Sequence, residues 1–396
     1  MDSLTSHTGV TAYADTLRFA LFLIGITQAT AIYAAEPELV PHVALRGDFA
    51  VGKDGRLLLL PTTVDGRQLL FMVDTGASRS AVDTSLRRIL GTPLGQLKLR
   101  TPGGLTQVET FPWPDVTLHG QPLKTETSIA GIDFTDLRQA SGQAIYGIIG
   151  MDVLRNCRVQ IDFDQGQFRF LESLPEPRTE LGLEIPLKYL EDGAPALDAD
   201  LGGQNVETFV IDSGAQGNSL RAETFDSLLQ HHEIRLGGSF SSATVAGEIS
   251  GRRGYLRRIS VGAKAHSGLR FARVDISSLG LRYLSRYHVT FDFPDRKVYL
   301  KNGIGFSRSE PEATSGMSLI WVDGNVVVKS IRRDGPAERA GIQPEDVILS
   351  ADGVETPEFD HFSLRLLMTQ HPGKVVKVQL RRGMQTIETR ITLESD

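Results

Sequence analysis

The sequence is poor in residues that staple chains or hold metals. One cysteine, Cys157, occurs in 396 residues, so no intrachain disulfide and no multi-cysteine metal cage can form. In its apolar segment the thiol reads as packing rather than as a nucleophile. HExxH is absent, and the adjacent His231 and His232 before Glu233 cannot share one helical face, which argues against a metal hydrolase. Positive charge is not in excess: 42 Lys+Arg against 48 Asp+Glu leave a net −6, with no general attraction for phosphate backbones. The dense basic run Arg252, Arg253, Arg257, Arg258 reads as a solvated face. No nucleic acid, metal or cofactor is expected. A long apolar run is lacking too. Phe19 to Ile26 stops at Thr27 and Gln28, short of the roughly 20 residues that a spanning helix needs. Arg18 precedes the run and Ala29-Thr30-Ala31 follows it with small-x-small spacing. Residues 1–35 therefore read as a signal peptide or export segment with a periplasmic or extracellular destination. Membrane association is expected only where that segment stays uncleaved.

What the chain does have is enough apolar residue, 40%, with 40 Gly and 18 Pro, to fill two or three separate cores. Self-similarity organises it. LLFMVDTGAS at Leu69–Ser78 is echoed by TFVIDSGAQ at Thr208–Gln216, and Ile148–Phe170 is echoed by Ser278–Leu300. The second pair keeps one order: a small turn, a Leu-bearing helical turn, then two alternating strands joined by a polar turn. Gly150 follows Asp74 by 76 residues and Gly280 follows Asp212 by 68. Short strands and Gly-rich hairpins fill the interval, so the expectation is a duplicated, mainly β domain. The copies span 43–172 and 181–302, joined through the Pro-bearing segment Ser173–Gly182.

In each copy an apolar strand delivers Asp, then a hydroxyl residue, then Gly and Ala. An aspartate at the end of a buried strand is costly unless it is hydrogen-bonded or shares its charge. Gly76 and Gly214 let backbone amides approach the carboxylates, and Thr75 and Ser213 can bond across to the opposite turn. If the copies meet about a pseudo-twofold axis, Asp74 and Asp212 come face to face and share one proton. One then acts as base on a water while the other donates to a carbonyl oxygen, which hydrolyses amides.

These turns make residues 43–302 similar to a retroviral-protease-like (retropepsin-like) aspartic peptidase with both β-barrel lobes in one chain. The resemblance implies catalytic Asp74 and Asp212, supported by Thr75, Gly76, Ser213 and Gly214. The family's apolar-apolar-Gly landmark falls on Ile148-Ile149-Gly150, whereas the second copy has Ser278-Leu279-Gly280. Substrate-covering flaps would fall on the hairpins at Thr101–Gly104 and Thr244–Gly247. Acid-active relatives commonly carry Ser or Thr after the turn; here both positions are alanine, Ala77 and Ala215, which implies activity nearer neutral pH. After a polar linker, residues 315–394 resemble a PDZ domain of α+β type. In it Gly316, Met317, Ser318 and Leu319 correspond to the loop whose amides hold a peptide carboxylate, with β-augmentation beside it. The implied function is an aspartic endopeptidase acting on peptides or proteins, its PDZ module binding protein C-termini. The alternative is a catalytically silent, exported peptide-binding protein of the same fold. A serine peptidase at Gly217-Asn218-Ser219 is disfavoured, because Leu220 and Arg221 follow where an oxyanion hole needs glycines.

Overall fold

The computed structural model describes residues 45–395 apart from 102, 103, 124, 126, 204 and 357–359, so the expected export segment 1–35 lies outside the described residues. Among the described residues no helix is long and apolar enough to cross a membrane. The chain is mostly β. Asp65-Gly66 shows why the first hairpin forms: both residues take positive φ (47° and 75°), the geometry that joins Leu59–Val64 to Arg67–Val73 with the twist of paired strands. Arg67–Val73 runs from exposed polar residues into buried Phe71-Met72-Val73 because Leu59–Val64 and Ile145–Ile149 flank it on both sides.

The duplication is carried strand for strand. The first copy forms a nine-stranded sheet in the order Gly95–Thr101, Gly104–Phe111, Ile129–Ile132, Ala81–Asp83, Ile145–Ile149, Arg67–Val73, Leu59–Val64, Val116–Leu118, Gln121–Pro122. The second repeats it as Ile234–Thr244, Gly247–Leu256, Leu269–Val274, Asn218–Arg221, Ser278–Leu279, Val206–Ile211, Pro195–Asp200, Ile259–Val261, Lys264–His266. In both, the Asp-bearing strand lies parallel to the strand that ends before Gly150 or Gly280.

A six-stranded sheet joins the copies. Hairpins Arg158–Asp162/Gln167–Leu171 and Tyr287–Asp292/Lys297–Asn302 pair through their inner strands, with Gln160 opposite Thr290, and Gly47–Phe49 and Leu183–Pro186 close the two edges. The repeated alternating strands read from the sequence are thus the seam between copies. One continuous core runs through both sheets and this seam, from Leu45 to Leu300. The segment Ser173–Gly182, expected as a plain linker, is partly packed: Leu174 and Leu181 bury against Tyr299 because the chain must run back to the seam's outer strand.

The C-terminal module has its own core, including Val326, Ile348, Leu364, Val378 and Ile391. Its sheet runs Met317–Val322, Asn325–Ile331, Val347–Ala351, Val375–Arg382, Gln385–Thr392, with helices Pro336–Arg339 and His361–Leu367. It packs on the repeats. Arg56 donates from Nη2 to Asp360 Oδ2 at 2.9 Å and Ser363 Oγ at 3.0 Å, and its guanidinium lies 4.9 Å over the Phe362 ring. Lys329 pairs with Glu248, and Trp321 seats against Gly142 at the end of helix Thr135–Ser141.

Candidate active site

Each Asp turn is held by the copy it does not belong to. Thr75 N donates to Ser213 Oγ (3.0 Å) and Thr75 Oγ1 to Ile211 O (2.6 Å); reciprocally, Ser213 N donates to Thr75 Oγ1 (3.0 Å) and Ser213 Oγ to Val73 O (2.8 Å). Both hydroxyls are fully buried, so these bonds fix the approach of the two turns without competition from water. Asp74 N and Asp212 N then donate to Ile149 O and Leu279 O, both at 3.0 Å. The turns stand on the strands beneath them.

Within each turn Oδ1 of the aspartate accepts two amides: Gly76 N (2.9 Å) and Ala77 N (3.1 Å) for Asp74, Gly214 N (3.0 Å) and Ala215 N (2.9 Å) for Asp212. The glycines serve close approach rather than backbone strain. A Cβ on Gly76 would lie 2.7 Å from Asp212 Cγ, and one on Gly214 would lie 2.4 Å from Asp74 Cγ. Each carboxyl is thus packed against the turn that bears the other. Burial, then the neighbouring Asp212 charge, push the Asp74 carboxyl up to about 8 against the pull of the two amides. Burial also raises Asp212, opposed by its amides. Two raised carboxyls this close can share one proton, an arrangement able to offer one base and one acid side by side.

The six residues expected at the dyad, Asp74, Thr75, Gly76, Asp212, Ser213 and Gly214, are brought together. Gly150 and Gly280 sit beneath: Met151 N and Leu281 N donate to Ala77 O and Ala215 O, both at 2.8 Å, and a Cβ on either glycine would strike backbone. Ser278, polar where the first copy has Ile148, is accommodated because its Oγ meets Ser219 Oγ at 2.8 Å. Ser219 also donates to Ile276 O at 2.6 Å, so its hydroxyl is a structural link. Sequence reasoning missed Ser80 and Asn218, whose side-chain oxygens accept Gly150 N (3.0 Å) and Gly280 N (3.2 Å). Each is the sixth residue after its Asp, a signal that superposing the two copies would have exposed.

The hairpins expected as flaps are present, with Thr101 Oγ1 and Thr244 Oγ1 closing on Gly104 O and Gly247 O. Val245, at the second tip, packs on the first copy's cluster of Met72, Ala81 and Ile148. Cys157 donates to Val153 O at 3.6 Å, and burial pushes its thiol up to about 12, out of nucleophilic range.

In the C-terminal module the expected loop Gly316–Leu319 is corrected to one loop residue, Gly316, because Met317–Val322 is strand paired to Asn325–Ile331. Gly316 N already donates to Thr314 Oγ1 (3.2 Å) and Met317 N to Ser315 Oγ (3.5 Å). The strand lies at the sheet edge, and across its groove the Trp321 and His361 rings meet at 4.5 Å. The basic run also needs correcting: Arg252, Arg257 and Arg258 are exposed, but Arg253 turns inward.

Two family profiles match the chain: Aspartyl protease over residues 60–153 and PDZ domain over residues 303–393. A curated relative, a probable CtpA-like serine protease of Staphylococcus haemolyticus (strain JCSC1435), is 35% identical over 76 residues. That overlap is 19% of this chain and 15% of the relative, too short to reach both profile segments. A solved photosystem II D1 C-terminal processing protease aligns at 25% identity over 21% of this chain and 23% of its own, with a TM-score of 0.20. This chain thus spans under a quarter of either protein. With the paired Asp turns in one half and the separate core in the other, the chain joins a retropepsin-like aspartyl protease domain to a C-terminal PDZ domain.

Proposed function

We propose that this chain is an aspartic-type endopeptidase. A peptide laid in extended form beneath the hairpins brings a carbonyl over the Asp74–Asp212 pair. The ionised carboxylate takes a proton from a water, which attacks the carbonyl carbon while the protonated partner donates to the carbonyl oxygen. The tetrahedral adduct collapses as the C–N bond breaks: the proton first taken from water passes to the leaving amine, and one hydroxyl of the adduct returns a proton to the other aspartate, leaving the acid product and the single-proton pair. The observation that carries this reading is the close approach of the two carboxyls, each packed against the glycine of the opposite turn and each with one oxygen already held by two amides. The PDZ module is proposed to engage protein substrates, and residues 1–35 to direct export.

Purified wild-type chain should cleave unfolded protein substrates, the Asp74→Asn and Asp212→Asn chains should not, and Ser219→Ala should retain activity. Cleavage that survives both Asn substitutions, or that Ser219→Ala abolishes, would overturn the assignment in favour of other chemistry.

A further inference from the structure

The two hairpins beside the Asp turns are built alike and tied differently. Thr101 closes on Gly104 in the first and Thr244 on Gly247 in the second, with Leu105 and Glu248 next in line. Leu105 stands 74% exposed. Glu248 is instead taken up by the PDZ module: its Oε2 pairs with Lys329 Nζ, and its Oε1 accepts Ser241 Oγ from the facing strand of the hairpin. Lys329, then Ser241, hold the Glu248 carboxyl below the usual carboxylate range.

The PDZ side is shaped for this contact. Ser318 pairs with Ser330 and Leu319 with Val328, so Lys329 is the extra residue of a β-bulge. A bulge re-aims a side chain that the regular pleat would direct elsewhere. This one lies opposite Met317–Val322, the edge strand to which a peptide would add.

The hairpin is held at three further points. Val245, at its tip, packs on the first copy's apolar patch, to which Ala77 of the Asp74 turn and Leu99 and Val108 of the first hairpin belong. The second copy's hairpin thus reaches across to the copy that bears Asp74. Helix Thr135–Ser141 packs against both the hairpin strand Ile234–Thr244 and the PDZ edge strand, whose Trp321 would lie 3.0 Å from a Cβ on Gly142. At the hairpin's base Tyr255 Oη donates to Pro311 O (3.1 Å) and Arg235 Nη2 to Glu312 Oε1 (3.2 Å), in the segment leading into the module.

We propose that the hairpin 234–256 is a lid latched over the cleft by Lys329, and that a protein C-terminus seated on Met317–Val322 releases it. The proposal rests on the peptidase reading, in which substrate lies beneath this hairpin. Peptide binding must part Trp321 from Gly142, and the added strand pairs along the residues opposite the Lys329 bulge. Either movement draws the ammonium from Glu248 and leaves the apolar contact of Val245 to hold the tip. The occupied module thereby opens the cleft to the chain whose end it holds.

The test reads motion rather than turnover. In the full-length chain, Lys329→Gln and Glu248→Gln should each quicken amide exchange across residues 241–250 about two- to fivefold, the factor that a partly exposed ion pair contributes. The charge swap Lys329→Glu with Glu248→Lys should restore the wild-type rate. A labelled Ala-rich decapeptide with a free carboxy-terminal Leu, saturating the Asp74→Asn chain so that none is consumed, should quicken the same amides by a similar factor. Coupling is reciprocal, so Lys329→Gln added to that chain should tighten the decapeptide's binding, read by fluorescence anisotropy, to the same extent. Unchanged exchange in both single variants, or a charge swap as loose as they are, would overturn the latch. A decapeptide that fails to bind, that binds with and without Lys329 equally, or that leaves the hairpin's exchange unchanged would overturn the release. Because exchange and binding need no turnover, a wild-type chain that cleaves nothing would count against the peptidase reading and not against the latch.

Discussion

Thr75 and Ser213 clasp each other, each hydroxyl accepting the other residue's amide and donating to the carbonyl that precedes the opposite Asp. Four buried hydrogen bonds thus hang on two oxygen atoms. Ser213→Ala leaves Thr75 N and Val73 O without partners, and each buried orphan costs about 1–3 kcal/mol. Denaturant titration should show a loss of about 2–4 kcal/mol. Ser213→Thr, which keeps the oxygen, should recover most of it. Equal losses for Ala and Thr would mean that packing, not the hydroxyl, holds the turns.

Asp74→Asn and Asp212→Asn should abolish hydrolysis yet leave the fold intact, because an amide oxygen can still accept the two turn amides. The sign of the stability change follows from linkage. A carboxyl whose folded pKa is raised loses stability as pH climbs from its unfolded value toward the folded one. An asparagine carries no such penalty. Both variants should therefore melt at or above the wild-type temperature near neutral pH, and the difference should vanish in acid. A variant that melts lower at neutral pH would contradict the burial argument.

The same displacement sets the pH range of catalysis. With the Asp74 carboxyl pushed up to about 8 by burial and by Asp212, the single-proton state persists through weakly acidic to near-neutral pH and ends when the second proton leaves. Ala77 and Ala215 add no hydroxyl donor to hold the ionised form down. Ala77→Ser with Ala215→Ser should move the acidic limb of the kcat/KM profile to lower pH. A wild-type profile confined below about pH 4 would sink the argument.

What the sequence discloses and what it hides divide along local and non-local lines. The Asp turns were legible because strand, Asp, hydroxyl and Gly are contiguous. The alternating strands at 158–171 and 287–302 were legible too. Their pairing, Gln160 beside Thr290, was not, since it depends on two copies docking rather than on any window of residues. Arg253 reads as one of a solvated run for the same reason. What turns it inward is the face it takes on a strand paired with Leu269–Val274. Gly316–Leu319 misled because motif likeness places a loop where backbone pairing already starts the strand at Met317, directly after Gly316.

Docking of the PDZ module yields the last expectation. Arg56, in the first copy, reaches Asp360, Ser363 and the Phe362 ring, all at the start of the helix that also bears His361 and Arg365. His361 in turn meets Trp321 across the groove beside the edge strand, and burial draws the His361 pKa down to about 3, so the imidazole is neutral in the docked state. A peptide can add to Met317–Val322 only if that ring pair parts and the strand's Trp321 end leaves Gly142. Arg56→Ala removes the guanidinium that fixes the helix while leaving both cores whole. Partly exposed ion pairs contribute about 0.2–1 kcal/mol each, so the global melting temperature should barely change. Amide exchange along Met317–Val322 and His361–Leu367 should nevertheless quicken, and PDZ binding of peptides with free C-termini should tighten. Exchange rates and peptide affinity identical to wild type would show that the groove's closure owes nothing to this contact.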